Sequence, residues 1–178
     1  MEAATGFYEA LAGTSLTLLG LWIGVLQLAP AGWRIDPTGR ASTLHLSLKF
    51  FLPGVLGLTS LLSAAGDNAA VWRVSFAVGG LVGFVESVRY LGRVTRPAEL
   101  RRLAVVDPVL YLMIVAAALL PASVLPVPPL QAEGIVTTLV FVTGLVGVWF
   151  ALADRSPEAA VRSSTPPGRR VPPGPRAG

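Results

Sequence analysis

The chain has no cysteine. That single absence removes disulfides, thiolate metal sites, thiol nucleophiles and cysteine-linked lipid anchors. It has one histidine, so a zinc or haem centre built from several His or Cys ligands cannot be assembled. Charge is scarce as well. Asp, Glu, Lys and Arg make up 13% of the 178 residues, against about 25% in ordinary soluble domains, too few to coat a globule in water. There is no Walker loop, no dinucleotide-binding glycine pattern and no HExxH. Gly20-Leu21-Trp22-Ile23-Gly24 puts tryptophan where a nucleophile elbow requires serine. The expectation is a protein that is not an enzyme and holds no metal or cofactor.

What the chain does have is apolar length. Hydrophobic residues make up 53% of it, and its mean hydropathy is +0.66. A helix needs about 20 mostly apolar residues to cross a hydrocarbon core about 30 Å thick. Runs of that order lie at 7–29, 44–65, 71–91, 108–125 and 134–153. Helix breakers fall between them: Pro30 after the first, Ala65-Gly66-Asp67-Asn68 after the second, and Pro126-Val127-Pro128-Pro129 after the fourth. The short turn at 66–70 makes the second and third runs an antiparallel hairpin.

The positive charges alternate from loop to loop. Arg34 and Arg40 follow the first run. Arg93, Arg96, Arg101 and Arg102 follow the third, and Arg155, Arg162, Arg169, Arg170 and Arg176 follow the fifth. The N-terminus, the 66–70 turn and the 126–133 loop carry no Lys or Arg. Basic loops mark the cytoplasmic side, so the N-terminus is expected outside and the C-terminus inside. The pI of about 10.3 is read in the same way, as contact with anionic headgroups rather than with nucleic acid. Glu2 in place of a basic leader, and the length of the first run, argue against a cleaved signal peptide.

The expected fold is therefore an all-α, polytopic transmembrane bundle of five helices in the cell membrane. Residues 1–154 form the bundle. Residues 155–178, rich in Pro, Gly, Arg and Ser, form a disordered cytoplasmic tail that cannot bury a core.

Small residues should mark where helices meet, because lipid gives little hydrophobic drive for helix association. Glu9, Gly13, Thr17, Gly20, Gly24 and Gln27 share one face of the first run, expected to turn into the bundle or toward a neighbouring subunit. Ser75, Gly79, Gly83, Glu86 and Tyr90 stripe the third run, and Gly144 and Gly147 lie in the fifth.

Ionisable residues inside a bilayer cost roughly 2.5–3.5 kcal/mol each at its centre on insertion scales, so each needs a reason. His45, Lys49, Glu86, Arg89 and Asp107 all lie toward the expected cytoplasmic end; Glu9 lies near the outer boundary. One reading is a polar pathway built from Glu9, His45, Lys49, Glu86 and Asp107, with histidine as the titrator because its ordinary pKa is near 6.5. The plainer readings compete residue by residue. Asp107-Pro108 has the form of a helix start. Lys49 has three outlets: the headgroups, Glu86 or Asp107. Glu86 has a local counter-charge in Arg89. Pro53 frees the carbonyl of Lys49 and is expected to kink the second helix. The leading expectation for function is a channel- or transporter-type protein moving protons or small cations as a homo-oligomer. The alternative is an accessory subunit that packs against a partner membrane protein.

Overall fold

Long apolar runs bounded by Pro, Gly and charge become helices here because every backbone polar group must be satisfied within its own segment in lipid. The computed structural model describes residues 2–28, 37–66, 69–93, 98–121, 123–124 and 127–153, with backbone alone at 2–3, 37–38, 65, 69, 98–103 and 153. Among the described residues there are five helices and no strand: α1 (Glu2–Gln27), α2 (Pro37–Gly66), α3 (Ala69–Arg93), α4 (Ala98–Leu119) and α5 (Pro129–Ala153). Arg34, Arg96, Trp33, the Asp67-Asn68 turn and the 155–178 tail lie outside the described residues.

Four of the helices are long and apolar enough to cross a membrane: α1, α2, α3 and α5. The fourth expected span is different. Its run was expected at 108–125, yet α4 starts at Ala98 and ends at Leu119, with an apolar part limited to Ala104–Leu119. Helix α4 is long enough as a helix, since its 22 residues extend about 33 Å. Its first turns, however, contain Glu99, Arg101 and Arg102. The reading of Asp107-Pro108 as a helix start is therefore overturned. Both residues are buried inside α4, and Pro108 is absorbed within the helix as Pro53 is within α2.

Helix α2 is the axis of the bundle and packs against α1, α3 and α5; α4 closes the other side against α3 and α5. The core is layered on Phe50, Leu52, Leu56, Phe76, Tyr111, Ile114 and Val140. Glycines set the closest approaches. A Cβ at Gly57 would stand 3.0 Å from the Tyr8 carbonyl, and one at Gly80 would stand 3.1 Å from that of Tyr111, so neither backbone can yield to a larger residue. Gly79 meets Leu56, Gly144 meets Lys49 and Phe50, and Gly147 meets Leu46.

The first helix turns the other way from the inward orientation considered for it. Glu9, Gly13, Thr17, Gly20, Gly24 and Gln27 are all exposed, and a Cβ at Gly13, Gly20 or Gly24 would meet nothing within 4 Å. The buried face of α1 is Tyr8, Leu11, Ala12, Ser15 and Trp22 instead. The reason lies in the partner helix. Gly54 and Gly57 of α2 supply the small residues at this contact, with Leu16, Ser15 and Ala12 of α1 filling the space.

Candidate functional site

Four helices bring polar side chains together in the half of the bundle that ends at Arg40 and Arg93. His45 and Lys49 stand one turn apart on α2 and so face the same way. Asp107 of α4 reaches both. Its Oδ2 accepts from Lys49 Nζ at 2.7 Å and lies 3.0 Å from His45 Nε2. The three residues are 2%, 4% and 5% exposed for Asp107, His45 and Lys49 in turn.

The surroundings hold each member in place. The His45 ring stacks on Tyr90 of α3, with centroids 4.1 Å apart and planes within 3°. The Tyr90 hydroxyl is 3.4 Å from Ser42 Oγ. Lys49 Nζ also donates to Thr143 Oγ1 of α5 at 3.4 Å, and that hydroxyl in turn donates to the Val140 carbonyl at 2.8 Å. Lys49 fits against α5 because Gly144 has no side chain where a Cβ would stand 3.0 Å from its own.

The chemistry of this cluster follows from its charges. Lys49 and Asp107 form a buried pair whose attraction is strong at low dielectric and whose desolvation is costly. With Asp107 ionised, His45 donates from Nε2, which leaves Nδ1 as a free acceptor. The imidazole lies flat on the Tyr90 ring, and a second positive charge there would stand beside the Lys49 ammonium on the same carboxylate oxygen. Asp107 Oδ1 is buried without a hydrogen-bond partner, as is Glu86 Oε1. The cluster thus has one site that can gain a proton and two acceptor oxygens that can answer it.

The structure treats the expected pathway residues unequally. It joins His45, Lys49 and Asp107. Glu86 is half-buried on the same side, and Arg89 beside it is exposed. Among the described residues the ion pairs are those of Asp107 with Lys49 and His45, so the Glu86–Arg89 pairing does not form. Glu9 is exposed on α1, away from all four.

Glu133 went unnoticed in the sequence. The apolar pattern puts it at the end of the 126–133 loop, but α5 begins at Pro129 and carries Glu133 inside its first two turns. Glu133 and Thr137 are both 0% exposed, and neither carboxylate oxygen nor the Thr137 hydroxyl has a hydrogen-bond partner. Proline at the first position of a helix was the signal that would have found it, together with the 4-3-4 spacing of Glu133, Thr137, Val140 and Gly144. Across from it, Tyr8 donates its hydroxyl to the Leu130 carbonyl at 2.6 Å. A groove of about 750 Å³ opens beside these residues between α1 and α5, lined by Phe7, Tyr8, Leu130, Gly134, Ile135 and Leu139 among others.

Compared with protein-family models, with curated proteins and with solved structures, the chain matches none. The class is defined by the fold itself: a helical multi-pass membrane protein with a buried, ion-paired polar cluster.

Proposed function

We propose that this protein is a small proton-moving channel or transporter of the cell membrane, working as an oligomer, with His45, Asp107 and Lys49 as its exchange site. The observation that carries this reading is the Asp107 carboxylate, held between a lysine and the sole histidine with 2% exposure. Ionisable groups kept inside a membrane bundle mark ion and proton routes by default. Protons are preferred over metal cations because the Lys49 ammonium already occupies the approach to Oδ2 at 2.7 Å. Glu86 is the second carboxylate of the route, and Glu9 is left out of it. The positive-inside distribution puts the cluster toward the cytoplasm. The role is non-enzymatic: the residues exchange protons and transform no substrate.

A second reading has its own support. The exposed stripe of Glu9, Gly13, Thr17, Gly20 and Gly24 on α1 is a poor surface for acyl chains and a good one for another helix. An accessory subunit gripping a partner membrane protein would present such a face.

Flux in liposomes containing only the purified protein separates the two. A proton-sensitive dye and a cation-sensitive dye are followed under an imposed membrane potential, with wild type beside Asp107→Asn and Glu86→Gln. Proton uptake that both substitutions abolish, with the cation dye silent, supports the exchange site. Silence in correctly folded wild type leaves the accessory reading.

A further inference from the structure

Glu133 has no place in the exchange site, and its surroundings are unlike those of Asp107. A buried carboxylate needs a counter-charge or several hydrogen bonds to remain ionised. Around Glu133 neither is present among the described residues. Its two oxygens have no hydrogen-bond partner, nor does Thr137 Oγ1 one turn further on.

The elements at this end of the bundle offer Glu133 no counter-charge among the described residues. Helix α1 contributes Tyr8, whose hydroxyl is already committed to the Leu130 carbonyl. The nearby turns of α2, residues 57–66, hold hydroxyls and no ionisable side chain; those of α4, residues 111–119, hold only Tyr111. On α3 at this end stands Arg73. Its guanidinium donates to the Ala118 carbonyl at 3.3 Å and lies 5.2 Å from the centre of the Trp72 ring. No cation among the described residues pairs with Glu133.

We propose that Glu133 is a proton-binding site at the opposite end of the bundle from the His45–Asp107–Lys49 cluster, and that the two are the terminal stations of one route. The pairing of stations rests on the proton-moving reading above; the proton site at Glu133 does not. Helix α5 connects the two ends. Glu133, Thr137, Val140 and Gly144 are buried along one face, and Thr143, which meets Lys49, lies ten residues beyond Glu133, about 15 Å along the axis. Between the stations the core packs Phe50, Ile114 and Val140, each 1% exposed. Such a layer holds off ions and leaves protons to pass only when it is transiently wetted. The site takes a proton rather than a metal ion because one carboxyl and one hydroxyl supply too few oxygens for a dehydrated cation.

The test is infrared spectroscopy of the full chain in lipid vesicles at neutral pH, comparing wild type, Glu133→Gln and Asp107→Asn. The expected result is the carbonyl stretch of a protonated, buried carboxyl that disappears in Glu133→Gln and persists in Asp107→Asn. Identical wild-type and Glu133→Gln spectra would overturn the proposal. In wild type and Asp107→Asn, an apolar carbodiimide should modify Glu133, as located by peptide mass, and less so as pH rises. Protection by sodium at constant pH would assign the site to a metal cation and overturn it as well. The band in vesicles that carry no flux would sink the transport reading and leave the Glu133 site standing; flux without the band would do the reverse.

Discussion

Lys49 Nζ and Asp107 Oδ2 lie 2.7 Å apart between α2 and α4, and His45 Nε2 of α2 stands 3.0 Å from the same oxygen. The pair joins two helices that both carry an internal proline, Pro53 and Pro108. Its energetics are asymmetric. Buried pairs add little net stability against well-packed apolar residues, but losing one partner strands a charge.

Asp107→Leu should therefore destabilise the bundle by about 3–5 kcal/mol, and Lys49→Met by a comparable amount. The double variant Lys49→Met/Asp107→Leu should recover most of that loss, because no charge is left without its partner. Thermal unfolding of the three variants in one detergent checks this through the coupling term of the double-mutant cycle. Strict additivity of the two single losses would mean that the pair does not form.

His45→Gln is expected to separate structure from proton exchange. The glutamine amide can still donate to Asp107, so unfolding should move by no more than about 1 kcal/mol, the net value of one hydrogen bond. Glutamine cannot take up a proton, so dye-detected proton uptake should fall to the level of empty liposomes. Uptake at the wild-type rate would remove His45 from the route.

The glycines give opposite expectations according to the face they occupy. A Cβ at Gly83 would run into the ring of Tyr111, which is 2% exposed and has nowhere to go. Gly83→Ala should cost about 1–3 kcal/mol by overpacking. At Gly20 a Cβ would meet nothing within 4 Å, so Gly20→Ala should be neutral or stabilise by up to about 1 kcal/mol through helix propensity. Unfolding midpoints of the two variants should move in opposite directions or differ by that margin.

Helix identity and number were readable in the sequence because apolar runs, prolines and turn residues report directly on segments that must satisfy their own backbone. The facing of the helices was less so. The stripe on α1 has the composition of a packing face, yet α2 brings its own glycines, Gly54 and Gly57, to that contact. Only one helix of a pair needs small residues for close approach, and periodicity cannot say which. Three members of the polar cluster could be named from the sequence, but their pairing depends on how far α4 extends before Pro108. Reading Asp107-Pro108 as a helix start hides the roughly two and a half turns that precede it. The same bias toward starting helices at apolar residues placed Glu133 in a loop.

Orientation is the remaining expectation, and the absence of cysteine makes it easy to measure. Single cysteines at Arg40 and Val124 occupy exposed positions at opposite ends of the bundle, and neither competes with a native thiol. On the positive-inside distribution, Val124→Cys should react with a membrane-impermeant maleimide in intact cells. Arg40→Cys should react only after the membrane is opened. Among the described residues Arg73 is the one basic side chain at the Val124 end, and its hold on the Ala118 carbonyl ties it to the last turn of α4, where a cation is favoured. Removing it by Arg73→Gln should leave the labelling pattern unchanged, because a single arginine fixed by a helix end is outweighed by the basic loops opposite. Reversed labelling in that variant would mean that this residue, rather than the loop charges, sets how the chain sits in the membrane.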